Sequence, residues 1–326
     1  MKIAIALAAL LGLSLTIGLV AYFGLDGILR SLEAVGWGGF AVLCAAQLAL
    51  IPLLGTAWTV LAPYPPMRWR AMVIGRLLRD AATEALPFSP LGGLLIGTRG
   101  AVLSGAPAPL VLATGAVDMA MEFAAQIAYV ALGLSLLFWN RAPAAAGFSL
   151  ASLAAGLGLA TAMAIGFILA QRYALRPLSE RLAASIPRSF HASADAFHDL
   201  IAAIYRRPGR LALSMGLHLC GWIASAGGTW LALYYLGHPI GFAPLIAMES
   251  LLYAARSAAF FVPVGIGVQE GAYAMLGPMF GIPAEAALTL SLLKRARDLV
   301  IAALVLGLWQ LVEGQRLFGR RANASR

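Results

Sequence analysis

The sequence predicts an all-α, polytopic membrane protein, and three observations lead to this fold class. Of the 326 residues, 61% are hydrophobic and 11% are charged, whereas a soluble domain carries about 25% charged residues. The apolar segments reach the roughly 20 residues that an α-helix needs to cross a bilayer. The longest polar stretch, residues 171–210, is shorter than the ~50 residues of a small soluble domain. We therefore expect a single membrane domain over residues 1–326, with no separate soluble catalytic domain within it.

Two kinds of apolar segment occur along the chain. Regions 68–106 and 241–281 are interrupted by proline and glycine, at Pro87–Gly93 and Pro263–Gly267 respectively. Proline removes a backbone donor and ends a helix, while glycine allows a tight reversal. Each interrupted region is therefore predicted to be a re-entrant helical hairpin. The uninterrupted segments are predicted to be six full crossings, at residues 3–23, 38–61, 107–138, 146–170, 210–236 and 284–312.

The distribution of arginine predicts which loops face the cytoplasm. Arginine-rich loops of membrane proteins lie on the cytoplasmic side, and here the arginines concentrate in three segments. The six crossings place these segments on one side only if each interrupted region enters and leaves the membrane on the same side, so both termini and the 171–210 linker are predicted to be cytoplasmic. The rich segments 62–76, 171–210 and 313–326 hold three, seven and four arginines, against one, one and none in 24–37, 139–145 and 237–241.

The arginine-rich loops and the aromatic residues predict what the protein contacts at the membrane surfaces. The net charge of +9 comes almost wholly from arginine. Arginine beside a membrane segment contacts anionic lipid headgroups, so these headgroups are the expected partners and nucleic acid is not. Tryptophans near segment ends, among them Trp37, Trp58 and Trp139, are predicted to lie at the membrane surfaces.

A shift of 176 residues aligns special positions in the two halves of the chain. Pro87 then falls on Pro263, Pro107 on Pro283 and Asp118 on Lys294. The arginine-derived orientation gives the halves, residues 1–138 and 146–312, opposite topologies. Inverted repeats with interrupted helices in corresponding positions are typical of secondary transporters. The sequence thus predicts an inverted repeat in which residues 171–210 form the cytoplasmic linker.

Charged residues inside the apolar regions are the candidate functional residues. Charge at membrane depth is costly and usually marks a pathway or a site. Acidic residues in one half stand where basic residues stand in the other. We predict a polar cavity between the two hairpins that admits a lipid headgroup. Its candidate substrate-binding residues are Asp80, Glu84, Glu122, Glu249, Arg256, Gly265, Gly267, Glu270, Lys294, Arg297 and Asp298.

A second interpretation of these charges is purely structural. Buried ion pairs can hold the hairpins against the bundle without contacting a ligand. Glu270 and Arg256 favour the pathway interpretation because they flank the interrupted turn, whereas Lys294 and Asp298 are spaced to pair with each other on one helix.

His218 is expected to bond to a neighbouring helix. No histidine or cysteine has zinc-site spacing and no glycine-rich loop follows a strand, so no metal or cofactor is expected.

One stretch resembles a known family. It runs Pro263-Val-Gly-Ile-Gly-Val-Gln-Glu270 and is followed by Gly281-Ile282 and Leu290–Arg295. It resembles the conserved region of the flippase-like family that is named after the transmembrane part of lysylphosphatidylglycerol synthase. The family pattern is approximately Pro-Gly-Gly-x-Gly-x-x-Glu, from which Val264 departs. Residues 294–298 and 309–313 look most like the hopanoid-biosynthesis-associated branch.

The resemblance implies a module of the bacterial inner membrane that moves an amphipathic lipid, such as a hopanoid or a lipid with a phospholipid-type headgroup. Two other classes of function stay open. One is an integral-membrane enzyme that modifies a lipid headgroup with Glu270 or Asp298 as general acid or base. Because no nucleophile–base–orienter set accompanies them, we expect no enzyme. The other is a non-transporting scaffold of a lipid-synthesis complex, for which lipid-biosynthesis enzymes would be the partners.

Overall fold

A computed structural model describes residues 25–63, 68–85, 89–139, 150–174, 188–258 and 267–324. These residues form α-helices joined by short turns, with one π-helical turn at Ala170–Ala174 and no strand among them. The predicted all-α fold class is therefore confirmed. The helices are α1 Leu25–Thr59, α2 Trp69–Ala85, α3 Ser89–Leu103, α4 Ala108–Trp139, α5 Leu150–Leu169, α6 Arg188–Tyr205, α7 Pro208–Tyr235, α8 Phe242–Ala258, α9 Val268–Met279 and α10 Ala284–Ala324.

Three helical segments within the described residues are long and apolar enough to cross a membrane. They are Val35–Thr59 of α1, the whole of α4 and the whole of α7, and they match the crossings predicted at 38–61, 107–138 and 210–236. The backbone at Gly36, where φ is 62°, kinks α1 just after this span begins. Helices α5 and α10 occupy two further predicted segments, and the first predicted crossing, residues 3–23, lies outside the described residues.

The first interrupted region forms an antiparallel helical hairpin of α2 and α3. Its two backbones lie unusually close because glycines face each other across the contact. A methyl group added at Gly97 would lie 2.6 Å from the carbonyl oxygen of Gly75, and one at Gly75 would lie 2.9 Å from that of Gly97. Nearer the turn, a methyl group at Gly93 would lie 2.7 Å from the carbonyl oxygen of Arg79. The predicted pairing of two short helices over residues 68–106 is therefore present.

The second interrupted region brings α8 and α9 together in the same antiparallel way. Tyr273 of α9 hydrogen-bonds to Glu249 of α8, and Gln269 of α9 bonds to Arg256 of α8. Gly267 precedes α9 with a φ of 78°, which an L-residue with a side chain rarely adopts. Of the predicted reversal at Pro263–Gly267, only Gly267 lies within the described residues, and the candidate Gly265 lies outside them.

Each hairpin packs against a long helix from the other half of the chain. In the first hairpin α2 packs against α10, and in the second hairpin α8 packs against α4. Helices α1 and α7 pack against each other, with α4 against α7 and α10 against α1. Gly133 of α4 lets the second hairpin approach, since a methyl group there would clash with the side chain of Ser250. The two hairpins therefore enclose a central region that both halves build.

The aromatic residues test the predicted membrane surfaces. Trp37 and Trp139 are 89% and 87% exposed, as residues of a membrane interface would be. Trp58 is fully buried, and its indole N–H donates to Thr114 Oγ1 at 3.1 Å. The prediction for Trp58 was wrong because apolar residues of α2, α3 and α4 cover this end of α1.

Candidate functional site

A cavity of about 340 Å³ lies between the two hairpins and is lined by α1, α2, α4, α7, α8, α9 and α10. Uncharged polar side chains, among them Gln47, Gln126, Ser225 and Ser257, are part of its wall. Of the candidate residues, Glu249, Gly267 and Glu270 are not among the lining residues. The candidates that line it are Asp80, Glu84, Glu122, Arg256, Lys294, Arg297 and Asp298.

One side of the cavity is bounded by a group of six side chains, which we call the arginine–carboxylate cluster: Arg76, Arg79, Asp80, Asp118, Glu122 and His218. Four of them line the cavity, and Arg79 and Asp118 lie behind these. In the first part of the cluster, Arg76 Nε donates to Asp80 Oδ2 at 2.9 Å and Nη2 donates to Glu122 Oε1 at 2.6 Å. Residues four apart on a helix share one face. Asp80 follows Arg76 by four residues on α2, so the two side chains lie on the same face. Glu122 follows Asp118 by four residues on α4, and both of these carboxylates face α2.

The second part of the cluster is more deeply buried. Arg79 Nη1 donates to Asp118 Oδ2 at 2.6 Å, and a second bond joins Arg79 to Glu122. His218 Nε2 lies 2.9 Å from Asp118 Oδ1, which confirms that His218 bonds to a neighbouring helix. Arg79 was missing from the sequence-based candidates. Its position three residues after Arg76 places it on the same helix face and was the signal available.

Lys294 lies in a separate buried network. Its ammonium donates to Glu249 Oε2 at 2.7 Å, to Thr229 Oγ1 at 2.9 Å and to Tyr273 Oη at 2.7 Å. Tyr273 and Thr229 in turn donate to the two oxygens of Glu249. An ammonium has three N–H donors, and all three are used here. The network joins α7, α8, α9 and α10.

Three further charges of α10 also have partners. Arg295 holds Glu270 with two bonds, from Nε to Oε1 at 2.6 Å and from Nη2 to Oε2 at 3.1 Å. Glu270 also accepts the backbone N–H of Gly267 at 2.9 Å. Arg297 Nε donates to Asp298 Oδ1 at 2.9 Å. The pairing of Lys294 with Asp298 that their spacing suggested does not occur, because each finds a nearer partner.

The side chains that reach the open part of the cavity come from both hairpins. Arg256 of the second hairpin approaches Glu84 of the first, with 3.8 Å between Nη2 and Oε1, and its Nη1 donates to Gln269 at 3.0 Å. The side chains of Asp80, Glu84 and Arg256 are 31%, 34% and 27% exposed. A bound molecule would therefore meet both signs of charge here, at the point where the hairpins come together.

The sequence matches a family model described as "Lysylphosphatidylglycerol synthase TM region" over residues 3–307. The chain belongs to this family. The resemblance based on Pro263–Glu270 is thereby confirmed, and membership identifies a membrane protein that acts on lipids. Comparison with curated proteins and with solved structures returned no match. The similarity to the hopanoid-associated branch of the family stays a prediction.

Proposed function

We propose that the protein moves an amphipathic lipid across the membrane, with the headgroup passing through the cavity while the hydrocarbon chains stay in the bilayer. One observation carries the proposal: partly exposed charges from two different hairpins, Glu84 and Arg256, meet inside a membrane domain. Such charges are costly in hydrocarbon and mark substrate pathways. A volume of about 340 Å³ lies within the roughly 300–1,000 Å³ of ligand pockets, enough for a headgroup.

We further infer that the halves form an inverted repeat, which would give the cavity alternating access to the two sides. Helices α1 and α7 end at Thr59 and Tyr235, and α4 and α10 begin at Ala108 and Ala284. The two positions in each pair are 176 residues apart, which is the shift that aligns the two halves of the sequence. Gly105 and Gly281 keep it as well, with φ values of 95° and 81°. A two-fold relation would also generate the packing of each hairpin on the long helix of the opposite half.

The geometry gives less support to a lipid-modifying enzyme. The two carboxylates that such an enzyme would use, Glu270 and Asp298, are engaged by Arg295 and Arg297. Glu270 is fully buried and is absent from the cavity wall. A general acid or base must come within hydrogen-bond reach of its substrate, and Glu270 does not offer that reach in this arrangement.

Reconstitution of the purified protein into vesicles of bacterial polar lipids tests the proposal. The vesicles would contain fluorescent phospholipids with zwitterionic, anionic or cationic headgroups, and dithionite would bleach only the probes in the outer leaflet. Transport predicts that bleaching extends to inner-leaflet probes of at least one class. Bleaching confined to the outer leaflet for all three would contradict it. A change in headgroup mass during incubation would favour the enzyme, and neither movement nor modification would favour the scaffold.

A further inference from the structure

The arginine–carboxylate cluster differs from the other ion pairs in its charge balance. The pairs Lys294–Glu249, Arg295–Glu270 and Arg297–Asp298 each join one cation to one carboxylate. In the cluster two arginines face three carboxylates. The surplus is one negative charge, in a part of the protein where uncompensated charge is expensive. The ion pairs of the cluster join Arg76 to Asp80, Asp118 and Glu122, and Arg79 to Asp118 and Glu122.

His218 is the member of the cluster that can supply the missing positive charge. Its Nε2 bonds to Asp118, and its Nδ1 is buried with no hydrogen-bond partner in the described part of the chain. The residue is 1% exposed to solvent and lines the cavity. Histidine takes up a proton between about pH 5 and 8. Proton uptake by Nδ1 would leave the bond from Nε2–H to Asp118 in place and would bring the cluster to neutrality.

Other charged groups around α7, the helix that carries His218, do not correct the imbalance. Helices α8 and α10 bring Glu249 and Lys294 to α7, but these two pair with each other. Arg256 of α8 also lines the cavity, and it is balanced by Glu84. Arg297 of α10 is paired with Asp298, and α6 contributes an exposed Asp199. Helix α1 lines the cavity with the uncharged residues Gln47, Leu50 and Leu54.

We propose that the cluster is a proton-binding site and that a transmembrane proton gradient drives the lipid movement through it. The coupling rests on the proposed transport function. A proton from the cavity is taken by His218 Nδ1, and it is released to the opposite side when the cavity opens there. A headgroup that contacts the partly exposed Asp80 or Glu122 changes the same charge balance, so binding of the lipid and binding of the proton affect each other reciprocally.

The proton site is tested without any transport assay. The purified protein, labelled with ¹⁵N in its four histidines, would be titrated by NMR, with His218→Gln used to assign the signal. We expect the His218 signal to show proton uptake at Nδ1 as the pH is lowered. The variant Asp80→Asn removes the surplus negative charge but keeps the bonds of both arginines to Glu122, so its His218 should bind the proton more weakly than that of the native protein. A His218 that stays neutral throughout the titration in both proteins would overturn the proposal.

The coupling is tested in vesicles that contain a fluorescent zwitterionic, anionic or cationic phospholipid and that carry an imposed pH difference. Lipid movement by the native protein should change when the pH difference is reversed, and movement by His218→Gln should not respond. Movement that ignores the gradient in the native protein would overturn the coupling while leaving transport intact. If His218 titrates as expected but no lipid moves under any gradient, the proton site stands and the transport function fails.

Discussion

Glu270 and Arg256 lie on either side of the same interrupted turn, but their side chains have different surroundings. Both flank the interrupted turn, and the sequence pointed to both as parts of a headgroup path. In the structure Glu270 is buried against Arg295, whereas Arg256 reaches the cavity. The geometry of Glu270 is that of a structural pair, and that of Arg256 suits a ligand contact. Each assignment leads to a substitution with a distinct result.

Glu270→Gln is expected to destabilise the protein. The substitution removes the carboxylate that Arg295 holds with two bonds, and breaking a buried pair costs about 3–5 kcal/mol. Thermal unfolding in detergent would measure the loss. The double variant Glu270→Gln/Arg295→Gln removes both charges and should recover part of the stability. A Glu270→Gln protein that unfolds like the native one but moves no lipid would instead place Glu270 on the substrate path.

Arg256→Gln is expected to slow lipid movement with little effect on stability, since its side chain is 27% exposed and lies 3.8 Å from Glu84. Exposed ion pairs contribute about 0–1 kcal/mol. Arg99→Gln is the matched control, because Arg99 also pairs with a glutamate, Glu313, at 2.9 Å, but is 54% exposed and does not line the cavity. Dithionite assays should separate the two variants. Equal lipid movement by both would remove Arg256 from the path.

At this scale the sequence indicates which residues matter more readily than it indicates which residues pair. Charges such as Asp80, Glu84 and Arg256 stand out because their surroundings are apolar, and they do line the cavity. The partner of Lys294 could not be derived, because Glu249 lies on another helix, 45 positions away in the chain. Spacing reports only contacts within one helix, so it suggested Asp298 instead.

At the scale of a single element, the first hairpin depends on the glycines between α2 and α3. Gly92 and Gly93 are adjacent in sequence but occupy opposite environments. A methyl group at Gly93 would lie 2.7 Å from the carbonyl oxygen of Arg79, and one at Gly92 meets nothing within 4 Å. A backbone atom cannot turn aside as a flexible side chain can, so the close contact of the hairpin tolerates no side chain at Gly93.

Gly93→Ala is therefore expected to destabilise the protein by about 1–3 kcal/mol, the usual cost of overpacking. Gly92→Ala should stabilise α3 by roughly 0.5–1 kcal/mol, because alanine loses less backbone freedom on folding than glycine does. The midpoints of thermal unfolding in detergent should move in opposite directions. Equal shifts for the two variants would mean that the helices are not in close contact here.

The sequence predicted where helices are interrupted better than it predicted which helices pack against each other. Proline and glycine predicted where the hairpins are interrupted, since these residues act on their own backbone. Helix α6, Arg188–Tyr205, was anticipated only as part of the 171–210 linker. The packing of α8 on α4 was not foreseen, because Ala- and Leu-rich helices show similar apolar faces to every neighbour.

At the scale of the whole molecule, the orientation in the membrane is the property that arginine counts predict. In a protein from which Cys44 and Cys220 have been removed, a cysteine at Ser193 is expected to face the cytoplasm and one at Pro239 the outside. An impermeant thiol reagent added to intact cells should label the second position and not the first. Labelling at Ser193 would reject the topology, and with it the inverted arrangement of the halves.

The ion pairs between α2 and α4 also have a consequence for how the protein is made. Arg79 is synthesised 39 residues before its partner Asp118. At about 5–20 residues per second, the ribosome delivers the counter-charge roughly 2–8 seconds later. During that interval Arg79 would cost about 2.5–3.5 kcal/mol at the centre of the bilayer. This cost favours insertion of the first hairpin together with α4 over insertion of the hairpin alone.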